Sequence, residues 1–315
     1  KVTVFELDYK SFSTGKSDIK DNKERLFLCE VFREQTKRMN ISCPFNYTGG
    51  KFKLLDQLQP LLREKKVFLD LFAGGGNVGI NSSSSKVIFN DSNENLIDLI
   101  KFIKDIDTDL LLKEIDNIIS KYGLSNTSLY GYSYYDCDSS SGLAKFNKER
   151  FLKLRDDFNF KILAGEIDYL KLYVLIVYSF NNQIRFNRKG LFNLPVGKRD
   201  FNSKMRSKLV LFSETLKSKD VQFIKKDFRE IVLDDFSKET FVYCDPPYLI
   251  TNATYNENGM WSDVEEKALL EFLDKVNEKG FLFALSNVLE SKNKKNDILY
   301  NWIESKGYYC NYLNK

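Results

Sequence analysis

Short apolar runs ending in a charged or polar residue recur along this chain, with helical spacings between them. VFLDLF (67–72) reads as a buried strand running straight into Gly74-Gly75-Gly76, and KVIFND (86–91) as a second strand ending in an acid. KFKLLDQLQPLL before them and NLIDLIKFI after them have helical spacing. Strand, glycine turn, helix, strand and acid form the opening of a doubly wound sheet. Residues 107–180 are mostly helical by the same criterion, interrupted by a Tyr/Ser-rich loop at 126–142, and a basic, turn-rich segment at 181–208 follows. Sheet character returns at VQFIKKDF (221–228), TFVYCDPPY (240–248) and FLFALSN (281–287), with a helix over Asp263–Glu278 between the last two. The predicted fold is α/β, one Rossmann-like parallel sheet interrupted by a helical and basic insert. Its parts are an N-terminal extension (1–40), a sheet domain (41–106 and 215–315) and the insert (107–214). A helical stretch near 23–37 carries no evident chemistry, and no internal repeat is visible.

Composition narrows the chemistry. There are no histidines among the 315 residues, which removes Ser-His-Asp triads, His general bases and His-ligated metals. The five cysteines are scattered with no C-x-x-C pair, against a zinc site or disulfide framework and in keeping with a reducing cytoplasm. The stretch 169–180 comes nearest to a membrane span, but it is short and contains Lys171, so a buried helix is expected. KVTVFELDYK at the start has no apolar signal-peptide core and no initiating Met, the expectation being a trimmed chain. The net charge of +4 is unevenly placed: the window 185–208 holds eight basic residues and one acid, Asp200, which leaves the rest at −3. Such a run is either a solvated face or a nucleic-acid surface.

Two elements carry candidate chemistry. The strand ending in Asp70 and the turn Phe72-Ala73-Gly74-Gly75-Gly76 let backbone approach a ligand at the mouth of the sheet. Asp91, about 20 residues on, can accept from both ribose hydroxyls of a nucleoside. The pattern alone indicates a nucleotide-like cofactor or simply a tight turn. The second element is Asp245-Pro246-Pro247-Tyr248. Two prolines cannot continue a central strand, so the chain leaves the sheet rigidly there. The Asp245 carboxylate and Pro246 carbonyl are then two acceptors at the carboxyl edge, suited to an amino group with two protons. Bound so, the amine loses ring conjugation and aims its lone pair at an electrophilic methyl, while Tyr248 stacks on the base. A rigid acidic turn is the plain alternative.

At this point the chain resembles the Dam-type DNA adenine (N6) methyltransferase family, over roughly residues 45–315. FNYTGGKFKLL resembles the family's opening motif, which implies that Tyr47 and Lys51 contact S-adenosylmethionine; Tyr47-Thr48 stands where many members have Trp-Ala. DLFAGGGNVG resembles the methionine-binding turn, with Leu71 replacing a common proline, and FNDSNENLI the ribose-binding motif, implicating Asp91 and Ser92. KKDF resembles the segment lying against the cofactor adenine, here Asp227 and Phe228. LRDDFN (154–159) and RFNRKGLFNLPVGK (185–198) resemble the target-recognition region, and Ser286-Asn287 a late motif. Members usually continue beyond a point like Lys315, so the last part of the sheet is expected to be missing. The resemblance implies S-adenosylmethionine as cofactor with no metal, double-stranded DNA as substrate, no membrane, and a cognate restriction endonuclease as a functional partner. Within the basic segment Arg185, Asn187, Arg188 and Lys189 are the expected base readers, and Lys198, Arg199, Lys204 and Arg206 the expected phosphate contacts. The alternatives are an RNA or protein amino-methyltransferase on the same core and a non-catalytic DNA-binding protein with a decayed core. Cytosine carbon methylation needs a Cys following Pro, and no Pro-Cys occurs.

Overall fold

The computed structural model describes residues 2–6 (backbone only), 40–47, 49–250, 261–291 and 293–314. The helix expected near 23–37 and most of the loop after Tyr248 lie outside the described residues. Among the described residues the main sheet has seven strands: β1 (Val2–Glu6), β2 (Val67–Asp70), β3 (Lys86–Asn90), β4 (Asp220–Ile224), β5 (Thr240–Cys244), β6 (Leu282–Asn287) and β7 (Tyr309–Leu313). Their order is β4-β3-β2-β5-β6-β1-β7; the first five are parallel, and β1 runs antiparallel to both β6 and β7. The chain builds outward from β2 to β4, then returns to the other side of β2 with β5. The order therefore reverses between β2 and β5, where ligands of open sheets bind. Asp70 ends one of these strands, and Asp245 directly follows the other.

The apolar runs are continuous because both faces of the central strands are covered. Phe68, Val87, Phe89, Phe241 and Tyr243 point into one core and Leu69, Ile88, Val242 and Cys244 into the other, the two-residue alternation of a pleated strand. Helices α1 (Glu94–Asp105), α2 (Thr108–Tyr122), α3 (Ala144–Leu163), α4 (Tyr169–Tyr178) and α5 (Ser203–Ser218) lie in the first layer, and α6 (Asp263–Glu278) and α7 (Asp297–Lys306) in the second. Side-chain caps start most of them: Asn93, Asp107, Asp168, Asn202 and Asn296 each accept a backbone N–H of the first turn, and Ser262 forms a capping box with Glu265.

Two features differ from the sequence reading. β1 falls in the segment read as an extension, yet it pairs within the sheet. The insert has no core of its own: Leu111, Ile115, Phe151 and Tyr173 join the apolar layer that covers the sheet, and α5 runs through the expected 214/215 boundary to pack on α1 and β4. The stretch 169–180 gives α4, buried from Leu172 through Tyr178. No helix among the described residues is long and apolar enough to cross a membrane.

Candidate active site

The glycine turn is held from below by two acids. Asp70 is buried, and its Oδ2 accepts the Gly79 N–H at 2.9 Å. Burial pushes its carboxyl up to about 7, against the partial relief given by that bond. Asp91, just beyond β3, accepts the Gly74 N–H at Oδ2 and the Asn93 N–H at Oδ1, both at 2.9 Å. Burial again raises its pKa. Gly74 sits at φ +51°, and a Cβ there would lie 2.7 Å from the Tyr47 ring, so the turn requires glycine on both counts.

Two asparagines absent from the sequence-derived set tie this turn to its surroundings. Asn90 donates to the Leu71 and Lys226 carbonyls and accepts the Lys226 N–H, joining the segments that follow β2 and β4. Asn77 Oδ1 accepts the Cys43 N–H at 2.9 Å, which docks the opening segment on the turn and lays Tyr47 over Gly74. The Lys51 ammonium, buried to 3% exposure, donates to Gly49 O at 2.7 Å and pairs with Asp245 Oδ2 at 2.5 Å. Lys51 therefore engages the carboxylate of the Asp-Pro-Pro-Tyr turn as well as bordering the cavity.

After β5, Asp245 Oδ1 accepts the Tyr248 hydroxyl at 2.9 Å, and the Lys51 ammonium lies 5.2 Å from the Tyr248 ring centre. Burial and the neighbouring carboxylate hold the Tyr248 phenol well above its ordinary pKa, so it remains a donor. Beside this turn Phe72, Phe228 and Trp261 form an aromatic wall, with ring centres 5.6 to 6.0 Å apart. Trp261 was not singled out from sequence. Asp227 is engaged by its neighbour: Arg229 donates to it through Nε at 2.7 Å and through a terminal nitrogen at 2.9 Å, which keeps its carboxyl below the usual range.

The two acids, the Lys51–Asp245–Tyr248 cluster, the aromatic wall and Asp227 border one cavity of about 970 Å³. It takes in Tyr47, Lys51, Asp70, Phe72, Ala73, Gly74, Gly75, Asp91, Ser92, Asp227, Phe228 and the whole Asp245–Tyr248 turn. Gly76, at φ +73°, faces Phe89 behind the turn. The far end of the cavity is formed by Arg185, Asn187 and Arg188.

Residues 185–193 form a hairpin. Phe186 and Phe192 pair antiparallel, and the Asn187 N–H donates to Leu191 O at 2.9 Å. Asn159 of α3 exchanges two hydrogen bonds with the Phe192 backbone, fixing the hairpin to the insert. Asn187 Oδ1 accepts the Lys189 and Leu191 N–H groups, so this amide shapes the tip; the two-point bridge to adenine expected of it would require the turn to open. Lys189 is exposed at the tip, outside the cavity lining. Lys198 and Arg199 lie apart from the cavity, bonded to Ser140 O and Ser139 O of the 126–142 loop. Asn46 bonds to the Asn181 and Asn182 carbonyls, linking the opening segment to the approach of the hairpin.

A nucleotide-sized cavity at the reversal point of a parallel sheet, with Asp-Pro-Pro-Tyr in its floor, is the arrangement of a Rossmann-like methyltransferase. The family model of the D12 class N6 adenine-specific DNA methyltransferases matches residues 47–312, and the chain belongs to that family. It is 37% identical over 304 residues to the type II methyltransferase M.FokI of Planomicrobium okeanokoites, covering 94% of this chain and 42% of the relative. It is 35% identical over 317 residues to the modification methylase StsI of Streptococcus sanguinis, covering 98% and 44%. Identity to the DNA adenine methylase of Serratia marcescens is 27% over 210 residues, 67% of this chain and 68% of that one. The chain spans less than half the length of the first two relatives.

Proposed function

We propose that the chain is the catalytic part of a site-specific DNA adenine methyltransferase, moving a methyl group from S-adenosylmethionine to the exocyclic N6 of adenine in duplex DNA. The observation that carries this reading is the Lys51–Asp245–Tyr248 cluster, its ammonium buried, in the floor of a cavity that reaches from the glycine turn to the basic hairpin.

The cavity's chemistry fits the cofactor. Gly74 and Gly75 bring backbone to one wall, Asp91 has lone pairs beyond the two it gives to backbone, and Phe72, Phe228 and Trp261 offer a flat apolar slot. Asp91 would take the ribose hydroxyls and the aromatic slot the adenine, with Tyr47, Lys51, Asp70, Ser92 and Asp227 around them. When bound, S-adenosylmethionine supplies an electrophilic methyl on a sulfonium.

The target base must leave the duplex to reach this edge. Its amine donates to Asp245 and to the Pro246 carbonyl, and at Oδ2 it shares or replaces the Lys51 ammonium. Two acceptors turn the nitrogen lone pair out of the ring and toward the methyl. Tyr248 stacks on the base while its hydroxyl holds the Asp245 rotamer, and Pro246-Pro247 keeps the acceptors rigid. The proton that the alkylated amine sheds can pass to the Asp245 carboxylate. No covalent bond to the protein forms.

Arg185, Arg188 and Lys189 of the hairpin are the base readers in this account, and Lys198 and Arg199 contact phosphates farther out. The names of the relatives, a type II methyltransferase and a modification methylase, support a functional partnership with a restriction endonuclease of the same specificity. The scattered cysteines, with no C-x-x-C pair, are in keeping with a reducing cytoplasm. The test is transfer of labelled methyl to duplex DNA, structured RNA and protein side by side, with digestion protection to locate the site. Labelling of duplex DNA alone is expected; labelling confined to RNA or protein overturns the proposal.

A further inference from the structure

Glu266 lies in the first turn of α6 with no exposed surface, and three neutral donors meet its charge. Trp261 Nε1 donates to Oε2 at 2.8 Å; Asn296 and Asn287 donate through Nδ2 to Oε1 at 2.7 and 3.1 Å. None of the three can be an acceptor here. An indole N–H only donates. Asn287 commits its Oδ1 to the Val288 N–H at 2.7 Å, and Asn296 commits its own to the Leu299 N–H at 3.1 Å, where it caps α7. Neither amide can turn round without breaking its backbone bond, so the position demands a group that only accepts.

The three donors come from separate places: the end of β6, the cap of α7, and Trp261, which lies just before the capping box of α6. Only Trp261 faces the cavity, where its ring meets Phe72 edge-on at 5.8 Å and Phe228 at 6.0 Å. Burying a carboxylate among neutral partners is costly. A core that needed only to join α6, β6 and α7 could do so with apolar side chains. What a carboxylate adds is a fixed direction for the indole.

We propose that Glu266 is a positioning residue for cofactor binding: by holding the Trp261 indole N–H it fixes the third ring of the aromatic slot that receives the cofactor's adenine. The inference rests on reading the cavity as the S-adenosylmethionine site. Its nearly isosteric test is Glu266→Gln. With Gln Oε1 serving the two asparagines, the Gln amide donors point at the indole N–H, and the conflict falls on Trp261 alone. Trp261→Phe removes the opposed donor, so the double variant should be free of it.

The experiment has two arms. In a Trp302→Phe background Trp261 is the one remaining of the chain's two tryptophans, and acrylamide quenching of its fluorescence should rise in Glu266→Gln. In the full chain, Glu266→Gln should weaken S-adenosylmethionine binding about tenfold by calorimetry, the scale of one lost bond to a charged acceptor. KM for the cofactor should rise in parallel while kcat at saturation stays within about twofold, a split that general loosening would not give. The double variant Glu266→Gln/Trp261→Phe should bind the cofactor as tightly as Trp261→Phe alone. Unchanged affinity in Glu266→Gln, or an equal further loss in the Trp261→Phe background, overturns the proposal. Should Glu266→Gln fail to fold, the double variant, which lacks the conflict, decides by the same comparison. If the unaltered chain binds no S-adenosylmethionine, the reading of the cavity fails, whereas unaltered quenching breaks the Glu266–Trp261 link itself.

Discussion

Replacing Asp91 with alanine separates the proposed cofactor ligand from a piece of scaffolding, because this carboxylate would serve both tasks. It accepts the Gly74 and Asn93 N–H groups at 2.9 Å each. A bond to a charged acceptor contributes about 1.5–3 kcal/mol, but two corrections reduce the loss. Burial already disfavours the ionised form, as its raised pKa records, so removing the charge recovers part of the cost. The freed N–H groups also border a cavity that water can enter. Asp91→Ala should therefore lose about 1–2 kcal/mol of unfolding free energy by denaturant titration. Loss of the ribose partner should raise the Kd for S-adenosylmethionine by about tenfold to a hundredfold in calorimetry, at about 1.4 kcal/mol per decade. Asp107→Ala is the control. Asp107 caps α2 through the Leu110 N–H at 2.9 Å and does not border the cavity, so it should cost about 1 kcal/mol of stability and leave the Kd unchanged. An Asp91→Ala chain that loses stability yet binds the cofactor within about twofold of the unaltered chain would refute the ribose assignment.

The other consequences are briefer. Gly74→Ala forces a side chain into φ +51° and against the Tyr47 ring; it should cost about 1–2 kcal/mol and weaken cofactor binding, and equal stability and affinity would contradict the turn's role. Asp70 has its pKa raised from 3.8 to about 7, so the unfolded chain releases this proton first. Its contribution makes stability fall as pH rises through that window and level off above it. Asp70→Asn keeps an acceptor for the Gly79 N–H and should flatten that fall by on the order of a few kcal/mol; superimposable pH–stability curves would count against it. Arg188→Ala should relax the sequence preference at one base pair, while Lys198→Ala should weaken all sequences alike and lower the salt slope by about one. If neither variant moves specificity or salt dependence, the target is read elsewhere.

The parts legible in the sequence were those set by local pattern. Strands buried on both faces gave continuous apolar runs at 67–70, 86–90 and 240–244, each leading into the residue that borders the cavity. The expected helix at Asp263–Glu278 matches residue for residue, because Ser262 and Glu265 cap it. The parts not legible depend on distant partners. Lys51 reaches across 194 positions to Asp245, and nothing near residue 51 signals an ion pair. Asn90 stands inside FND, a run read for its acid, yet its side chain is what joins the two segments beside the cavity. Glu266 reads as one more acid in a charged helix turn until Trp261, Asn287 and Asn296 converge on it. β1 was read as part of a polar extension because a five-residue strand of alternating character carries little signal until β6 and β7 flank it.

The central claim is that Asp245 draws the adenine amine into line for methyl transfer. Its most direct measurement is nucleoside analysis of duplex DNA after incubation with S-adenosylmethionine and either the unaltered chain or Asp245→Ala, with the cofactor Kd measured on both. The account predicts N6-methyladenine as the methylated nucleoside from the unaltered chain. It predicts a loss in Asp245→Ala beyond the ~10²-fold given by one positioned hydrogen-bonding group. Methyl on cytosine, or N6-methyladenine formed at near-normal rate by Asp245→Ala, would contradict it.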